Sequence, residues 1–206
     1  MLAIVPVNDP LRGKQRLSGL FPADVRAQLV EAMLLDVLDA CGRASTLEDV
    51  LILTPNAAIA PTGCSVMLDP GQGHAHAIDA ALRTQDDAAG VLILMADCPL
   101  VTGEALDELA NAAAPLAIAP AQDGGTNALA MKPGNLLRPA FGVPGSSAVT
   151  MATARELGIR PKLVQNLEFA IDLDDSRDIE RIMGNGATTR TAALLASSGF
   201  ALEPTP

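Results

Sequence analysis

The sequence predicts an α/β protein with a mixed, mostly parallel β-sheet. Short apolar runs alternate with helical segments, which is the βαβ rhythm of a parallel sheet. The run at 91–95 is apolar throughout, as in a central strand that is buried on both faces. Between 116 and 131 a Gly-Gly turn joins two strand-like segments with no helix between them. That change of rhythm indicates an antiparallel excursion within the sheet.

Each predicted element is bounded by turn or capping residues. The predicted strands are 2–7, 49–54, 65–68, 91–95, 116–120, the segment after the Gly-Gly turn, and segments near 162–165 and 168–171. The predicted helices follow Pro22, Asp69 and Thr102, run through Met151 and Leu157, and finally run through Ile179 and Ile182. A further short element is expected at 136–141. Residues 184–206 are expected to form a C-terminal helical tail with a frayed end.

The composition narrows the class of protein. The chain has 206 residues, of which 49% are hydrophobic, and this is enough for one sizeable core. Its net charge of −10 repels polyanions and argues against nucleic-acid binding. No stretch reaches the ~18 uninterrupted apolar residues of a membrane span, so no membrane partner is expected. Three cysteines at spacings that match no zinc motif or disulfide scaffold favour reduced thiols in a cytoplasm.

Three aspartates are candidate metal ligands. Asp97 follows the central strand directly, and the carboxyl ends of parallel strands are where ligands bind. Asp172 and Asp174 alternate around Leu173, so in extended backbone both would point to one face. The alternative is helix capping, although Thr102 is a better cap than Asp97. If the three carboxylates gather without a metal, we expect mutual repulsion and an Asp97→Asn protein at least as stable as the natural one.

A basic loop follows the first strand. Arg12, Lys14 and Arg16 lie within five residues, in a chain that has 14 basic residues in all. Lys14 and Arg16, which lie beside Gly13, could bind a triphosphate. Lys14 would act as a point charge and Arg16 as a planar guanidinium fork. The alternative is a solvated basic surface. The loop lacks the glycine spacing of a P-loop or of a dinucleotide fingerprint, which argues against ordinary kinases and dehydrogenases.

Two loops of small residues and two histidines complete the candidates. The loops at 124–127 and 142–147 offer backbone N–H and hydroxyl donors that could hold a carboxylate or a phosphate near a metal. His74 and His76 are two residues apart at a helix start, where their side chains diverge and cannot bind zinc together. The turn around Gly73 and the first-strand loop carry no aromatic residue, so we expect main-chain groups there to select the base.

Five motifs, in order along the chain, resemble one known family. They are IVPVNDPLRGKQRLS, LMADCPLV, DGGTNALAM, FGVPGSS and FAIDLDDSRDI. Together they resemble the CofC/FbiD family of 2-phospho-L-lactate or phosphoenolpyruvate guanylyltransferases, which are MobA-like nucleotidyltransferases. The resemblance implies a three-layer α/β/α domain at 1–183 with the glycosyltransferase-A-like nucleotidyltransferase fold. It also implies transfer of GMP from GTP to a small phospho-carboxylic acid, with release of pyrophosphate, in coenzyme F420 biosynthesis.

The resemblance also assigns roles by matching position. The implied catalytic residues are Lys14, Arg16 and Asp97, and the implied Mg²⁺ ligands are Asp97, Asp172 and Asp174. The implied nucleotide-binding residues are Pro6, Val7, Asn8, Lys14, Arg16, Gly73 and His76. Thr126, Gly142 and Ser146 would hold the acceptor. A homodimer is the candidate assembly.

Three departures from the family pattern keep other functions open. Asn8 stands where the family usually has Lys, His76 where a helix-start Asn is usual, and Thr150 near a usual His. The loop that begins Phe141-Gly142 is also one residue longer. One alternative is a cytidylyltransferase resembling those that act on the molybdenum cofactor. Another is a non-catalytic nucleotide-binding protein, against which the three intact aspartates argue.

Overall fold

The computed structural model describes residues 1–69, 72–85 and 90–198, and within these ranges a seven-stranded sheet forms the centre. The strands are β1 (Leu2–Pro6), β2 (Asp49–Thr54), β3 (Ser65–Leu68), β4 (Val91–Leu94), β5 (Leu116–Pro120), β6 (Thr126–Met131) and β7 (Lys162–Leu163). Their spatial order is β3-β2-β1-β4-β6-β5-β7. Strand β6 is antiparallel to β4 and β5, and the other pairs are parallel. The mixed, mostly parallel sheet with an antiparallel excursion is confirmed.

Helices cover both faces of this sheet. They are α1 (Ala23–Arg43), α2 (His74–Leu82), α3 (Gly103–Ala112), α4 (Ser146–Glu156), α5 (Leu167–Ala170), α6 (Ser176–Gly184) and α7 (Arg190–Ser197). The Thr102 side chain accepts a hydrogen bond from the backbone N–H of Ala105 and so caps α3. Asp175 and Asp178 form a capping box at the start of α6. Capping of these two helices therefore does not require Asp97, Asp172 or Asp174.

Alternate residues of the central strands point into two separate cores. Val5 lies in the core that also contains Leu29 of α1, whereas Ile4 lies in the core that contains Ile78 of α2. The first core is covered by α1, α3, α6 and α7, and the second by α2 and α4. This alternation is the side-chain period of a strand. The three-layer α/β/α arrangement is thereby confirmed.

Some expected elements differ from those observed. The segment 168–171, expected as a strand, is mostly the short helix α5, because the Asn166 side chain accepts a hydrogen bond from the Phe169 N–H and starts a helical turn. Phe169 is fully buried by that turn. The segment 136–141 forms neither helix nor strand, and the strand expected at 162–165 is limited to Lys162–Leu163.

The C-terminal segment packs on α1. The buried Asp36 carboxylate of α1 accepts hydrogen bonds from the backbone N–H groups of Arg190 and Thr191 at the start of α7. Leu195 of α7 is fully buried in the core beneath α1. The division of the chain into 1–183 and a tail at 184–206 stays a prediction. None of the helices among the described residues is both long enough and apolar enough to cross a bilayer.

The strand order creates a crevice between β1 and β4. The chain runs from β1 outward to β2 and β3 on one side, and then returns to place β4 on the other side of β1. In open α/β sheets, ligands bind at the carboxyl ends of the strands where the order reverses in this way. The basic loop follows β1, and Asp97 follows β4. The topology therefore brings the two predicted site segments to one place.

Candidate active site

A cavity of about 300 Å³ opens at this crevice. Among its lining residues are seven that were predicted for the site, namely Pro6, Val7, Asn8, Lys14, Arg16, Asp97 and Asp174. Arg12, Gly13, Gln15, Val30, Met33, His74, Met95 and Ala96 complete the lining. Gly73, His76, Thr126, Gly142 and Ser146 do not line this cavity. The structure thus brings the predicted triphosphate residues together with two of the predicted metal ligands.

The three predicted metal ligands form one acid cluster, which consists of Asp97, Asp172 and Asp174. The backbone N–H of Leu173 donates a hydrogen bond of 3.0 Å to the carbonyl oxygen of Asp97, so the 172–174 segment lies beside the end of β4. Leu173 is fully buried, and its two neighbours project to the opposite side. One carboxylate oxygen from each aspartate lies within 4.8 Å of the other two. The predicted gathering of the carboxylates is confirmed.

Lys14 lies inside this acid cluster. Its Nζ donates hydrogen bonds to Oδ2 of Asp97 at 2.7 Å and to Oδ1 of Asp174 at 3.0 Å. Only 9% of the Lys14 side chain is exposed. Its backbone has φ 50° and ψ 42°, a left-handed conformation that non-glycine residues adopt rarely. Such a conformation persists only where the surrounding structure enforces it, and it occurs often at functional sites.

Packing of Gly13 holds the loop in place. A Cβ atom at Gly13 would lie 2.7 Å from Cγ2 of Val30 on α1, so the loop approaches the helix more closely than any other residue type would allow. The Asp9 carbonyl oxygen accepts hydrogen bonds from the N–H groups of Arg12 and Gly13, each at 2.9 Å. These contacts fix the backbone immediately before Lys14. The loop is therefore built to carry the Lys14 side chain into the acid cluster.

The electrostatics of the acid cluster differ from one aspartate to another. Burial alone would raise the pKa of Asp97, but the Lys14 ammonium holds that pKa below its ordinary value. Burial alone would lower the pKa of Lys14, but Asp97 and Asp174 hold it above its ordinary value. Burial and then the Asp97 charge raise the pKa of Asp172 to about 6. The expected repulsion thus falls on Asp172, whereas Asp97 is attracted to Lys14.

Arg16 contacts the same acid cluster from outside. One Nη atom of Arg16 donates to Oδ2 of Asp174 at 3.0 Å, and 75% of the Arg16 side chain is exposed. Asp174 therefore accepts hydrogen bonds from two cations, one buried and one in solvent. An exposed ion pair of this kind contributes at most about 1 kcal/mol to stability. Arg16 can accordingly leave Asp174 at little cost and bind an incoming anion.

The two loops of small residues meet at a second place. Oγ of Ser146 and Oγ1 of Thr126 are hydrogen-bonded at 2.8 Å, and both residues are buried. Ser147 donates from its N–H and from its hydroxyl to the carbonyl oxygen of Gly124. Gly145 precedes α4 in the left-handed conformation, with φ 66°. The predicted acceptor loops are therefore in contact, although Gly142 is not part of the hydroxyl pair.

Asn127 connects these loops to the acid cluster. Its Nδ2 donates to Oδ1 of Asp172 at 3.1 Å and to the Phe169 carbonyl oxygen at 2.8 Å. Asn127 is buried and follows Thr126 in β6. Sequence reasoning missed its role. The signal was its place two residues after the Gly-Gly turn, within the loop of small residues at 124–127 that is a candidate anion-binding segment.

His74 was also missed. It lines the cavity, whereas His76 is exposed and does not. Burial lowers the pKa of His74, although the nearby Asp97 and Asp69 charges oppose that shift. Gly73 precedes it with φ 90°, a conformation that favours glycine and turns the chain into α2. The His74 imidazole thus adds a side chain to the main-chain groups expected to select the base.

Comparison with known proteins identifies the family of this chain. The sequence profile of the family described as guanylyl transferase CofC like matches residues 1–206. The chain belongs to this family. Its curated relatives include phosphoenolpyruvate guanylyltransferase of Sphaerobacter thermophilus, 34% identical over 89% of this chain and 93% of the relative. They also include 2-phospho-L-lactate guanylyltransferase of Methanosphaerula palustris, 34% identical over 97% of this chain and 91% of the relative.

A third relative of this CofC-like chain carries a different acceptor in its name. It is 3-phospho-D-glycerate guanylyltransferase of Phenylobacterium zucineum, 32% identical over 94% of both chains. Solved structures support the nucleotidyltransferase fold. One, from Desulfovibrio desulfuricans, is assigned to the nucleotide-diphospho-sugar transferases and has a TM-score of 0.77 at 20% identity, covering 95% of this chain and 94% of its own. Another, from Mycobacterium tuberculosis in complex with manganese, has a TM-score of 0.56 at 18% identity, covering 89% and 97%.

The acid cluster of this CofC-like protein fits a hard divalent cation. Its ligands would be carboxylate oxygens, which Mg²⁺ and Mn²⁺ both accept. The buried Lys14 ammonium shows that the cluster already holds positive charge. Asn127 donates a hydrogen bond to the Asp172 carboxylate, as groups around metal ligands commonly do. The residues present can therefore hold a metal ion.

Proposed function

We propose that this protein transfers GMP from GTP to the phosphate of a small phospho-carboxylic acid and releases pyrophosphate. The acid cluster at the crevice, with Lys14 between Asp97 and Asp174, is the observation that carries this proposal. Family membership indicates that the nucleotide is GTP, because the curated relatives are named guanylyltransferases. The pathway would be coenzyme F420 biosynthesis. The cytoplasmic location and the homodimer stay predictions.

The reaction is an in-line displacement at the α-phosphorus of GTP. A phosphate oxygen of the acceptor forms a new P–O bond there, and the bond between the α-phosphorus and the oxygen bridging to the β-phosphate breaks. Pyrophosphate leaves with the electron pair of that bond. The attacking phosphate is already an anion, so no general base is needed. Positioning and charge neutralisation supply the catalysis, as in phosphoryl transfer generally.

Asp97, Asp172 and Asp174 would hold Mg²⁺. The ion would neutralise phosphate charge beside the reacting phosphorus. Three carboxylates together with one buried ammonium leave negative charge in the acid cluster, which favours a cation. The carboxylate of Asp172 must be ionised to act as a ligand, and the Asn127 amide donates a hydrogen bond of 3.1 Å to it. Asn127 is accordingly a positioning residue.

Lys14 and Arg16 would bind the triphosphate. Both reach the acid cluster through the basic loop, Lys14 from inside and Arg16 from solvent. The Lys14 ammonium lies on a flexible stem, so it would be able to turn from the carboxylate oxygens of Asp97 and Asp174 to phosphate oxygens of the nucleotide. Pro6, Val7, Asn8 and the turn at Gly73 would contact the nucleoside. His74 would also contact the nucleoside, because it lines the cavity. The predicted nucleotide-binding role of His76 stays a prediction, and His76 does not line the cavity.

The acceptor would bind between the loops at 124–127 and 142–147. The hydroxyls of Thr126 and Ser146 and the N–H groups at the start of α4 offer donors for a carboxylate or phosphate. Asn127 follows Thr126 and donates to Asp172, so an acceptor bound here would lie near the proposed metal ligands and the α-phosphorus. The relatives differ in the acceptor they name, so 2-phospho-L-lactate, phosphoenolpyruvate and 3-phospho-D-glycerate are the candidates for this chain.

The decisive experiment measures pyrophosphate release with Mg²⁺ over a panel of nucleotides and acceptors. GTP, CTP, ATP and UTP would each be paired with the three phospho-acids. We expect release with GTP and at least one acid, and a mass spectrum of the product that shows GMP joined to the acid. CTP turnover alone would favour the cytidylyltransferase alternative. GTP binding without any turnover would favour a non-catalytic nucleotide-binding protein.

Two site variants and one control variant test whether the activity belongs to the proposed site. Asp97→Asn should abolish release because an amide is a poorer ligand for a hard cation. Asp24→Asn removes the same charge from an exposed position at the start of α1 and should leave release unchanged. Ser146→Ala should raise the KM for the acceptor and leave the KM for GTP unchanged. An active Asp97→Asn protein would contradict the proposed site.

A further inference from the structure

Arg12 lies on the basic loop and lines the same cavity as Lys14 and Asp97. Its backbone is held, because its N–H donates to the Asp9 carbonyl oxygen at 2.9 Å and the next residue, Gly13, packs on α1. The Arg12 side chain is exposed. A backbone held by these contacts and an exposed side chain make the Arg12 guanidinium available at the cavity.

The three cations of the basic loop differ in what they contact. The Lys14 ammonium is held by Asp97 and Asp174, and Arg16 is paired with Asp174. The Arg12 guanidinium makes neither a hydrogen bond nor an ion pair with any residue in the described ranges 1–69, 72–85 and 90–198. Arg12 is therefore the cation of this loop that can bind an anion without first leaving a carboxylate.

We infer that Arg12 binds the pyrophosphate end of the triphosphate, the part that leaves. This inference rests on the proposed function. The reacting α-phosphorus would lie by the acid cluster, where Lys14 is buried, and pyrophosphate would leave the cavity toward solvent. Arg12 lines this cavity and is exposed, so its guanidinium is available to a group at the solvent side. A guanidinium matches the phosphate oxygens in pairs, and its charge offsets the negative charge that develops on pyrophosphate.

The test compares Arg12→Gln with Arg160→Gln. Arg160 is exposed, lies in the loop before β7 and outside the cavity lining, so its replacement removes the same charge elsewhere. Calorimetry would give the Kd of GTP, GMP and inorganic pyrophosphate, each with Mg²⁺. We expect Arg12→Gln to raise the Kd of GTP and of pyrophosphate about tenfold or more, since a hydrogen bond to a charged group is lost. The Kd of GMP should rise less than about twofold.

Further readouts separate a binding role from a structural one. Arg12→Lys should recover part of the loss, because lysine keeps the charge but lacks the planar fork. The melting temperature of Arg12→Gln should match that of the natural protein, because the guanidinium has no hydrogen bond or ion pair to lose among the described residues. Arg160→Gln should leave all three Kd values unchanged.

Two results would overturn the inference. One is a GTP Kd for Arg12→Gln within about twofold of the natural value. The other is an equal loss of affinity for GMP and for GTP in Arg12→Gln, which would place Arg12 at the nucleoside or the α-phosphate. If the natural protein binds neither GTP nor pyrophosphate, the proposed function fails and the inference fails with it. If the natural protein binds and transfers normally but Arg12→Gln behaves identically, only the Arg12 assignment fails.

Discussion

The Nζ atom of Lys14 lies 2.7 Å from Oδ2 of Asp97, although the two residues are 83 positions apart in the chain. The same ammonium donates to Asp174, so it bridges two of the three carboxylates of the acid cluster. A divalent cation would compete with Lys14 for these oxygens. Lys14 thus supplies a counter-charge to Asp97 and Asp174 in the metal-free protein.

Lys14→Met should destabilise the metal-free protein. Removing one partner of a buried ion pair typically costs about 3–5 kcal/mol, and we expect roughly 2 kcal/mol because Asp97 is partly exposed. A metal ion can replace the lost ammonium, so Mg²⁺ or Mn²⁺ should raise the melting temperature of Lys14→Met more than that of the natural protein. Thermal unfolding with and without metal measures both effects.

The exposed Lys162 supplies the control for that experiment. Lys162→Met removes one positive charge from the edge strand β7 and should respond to metal as the natural protein does. Equal metal-induced shifts in Lys14→Met and Lys162→Met would show that Lys14 and the metal do not share a site.

Asp97→Asn and Asp172→Asn should change stability in opposite directions near pH 7. The Lys14 ammonium stabilises the ionised form of Asp97, so Asp97→Asn should be less stable by about 1–3 kcal/mol. The sequence alone predicted the opposite, an Asp97→Asn protein at least as stable as the natural one. Burial and the Asp97 charge both disfavour the ionised form of Asp172. Asp172→Asn should therefore be as stable as the natural protein, or more stable, without metal. Denaturant titration measures both, and both variants should lack Mg²⁺-dependent turnover.

Asp172 should also make stability depend on pH. Its pKa is raised from the ordinary 3.8 to about 6 in the folded protein. Between these values the folded state binds more protons than the unfolded state, so stability falls as pH rises through this window. The change should be on the order of 1 kcal/mol, because the group is only partly buried and solvent screens it. Free energies of unfolding at several pH values, without metal, would measure it.

Asp172→Asn should remove this pH dependence and leave the rest of the profile unchanged. Metal affinity in the natural protein should weaken below about pH 6, because a protonated Asp172 cannot act as a ligand. The same slope in the variant and the natural protein would assign the titration to another group.

Gly13→Ala should disturb the basic loop. The new methyl group would meet Cγ2 of Val30 at 2.7 Å, and Val30 is a stiff β-branched residue of α1. Overpacking of this kind costs about 1–3 kcal/mol. The loop would shift, so turnover should fall even in protein that remains folded at the assay temperature.

Val30→Ala offers a rescue for that change. The double variant Gly13→Ala with Val30→Ala has room for the new methyl group and should regain part of the activity and stability lost in Gly13→Ala. Effects that simply add would show that the two side chains do not conflict.

The local pattern of the sequence was sufficient for most of the fold. Uniformly apolar runs mark the buried strands, and capping residues such as Thr102 and Asp175 mark where helices begin. The position of Asp97 at the end of a central strand, and the alternation of Asp172 and Asp174, also predicted that these carboxylates would gather. Such features are short-range, so the sequence alone determines them.

Only the tertiary structure decided what these residues contact. Whether Asp97 faces repulsion or attraction depends on Lys14, which a close packing of Gly13 against α1 brings into the acid cluster. The assignment of a cavity position to His74 rather than His76 depends on how α2 meets the sheet. Asn127 reaches Asp172 across 45 residues of chain. These relationships join distant segments, and no local periodicity encodes distances between them, so packing of the whole chain had to determine them.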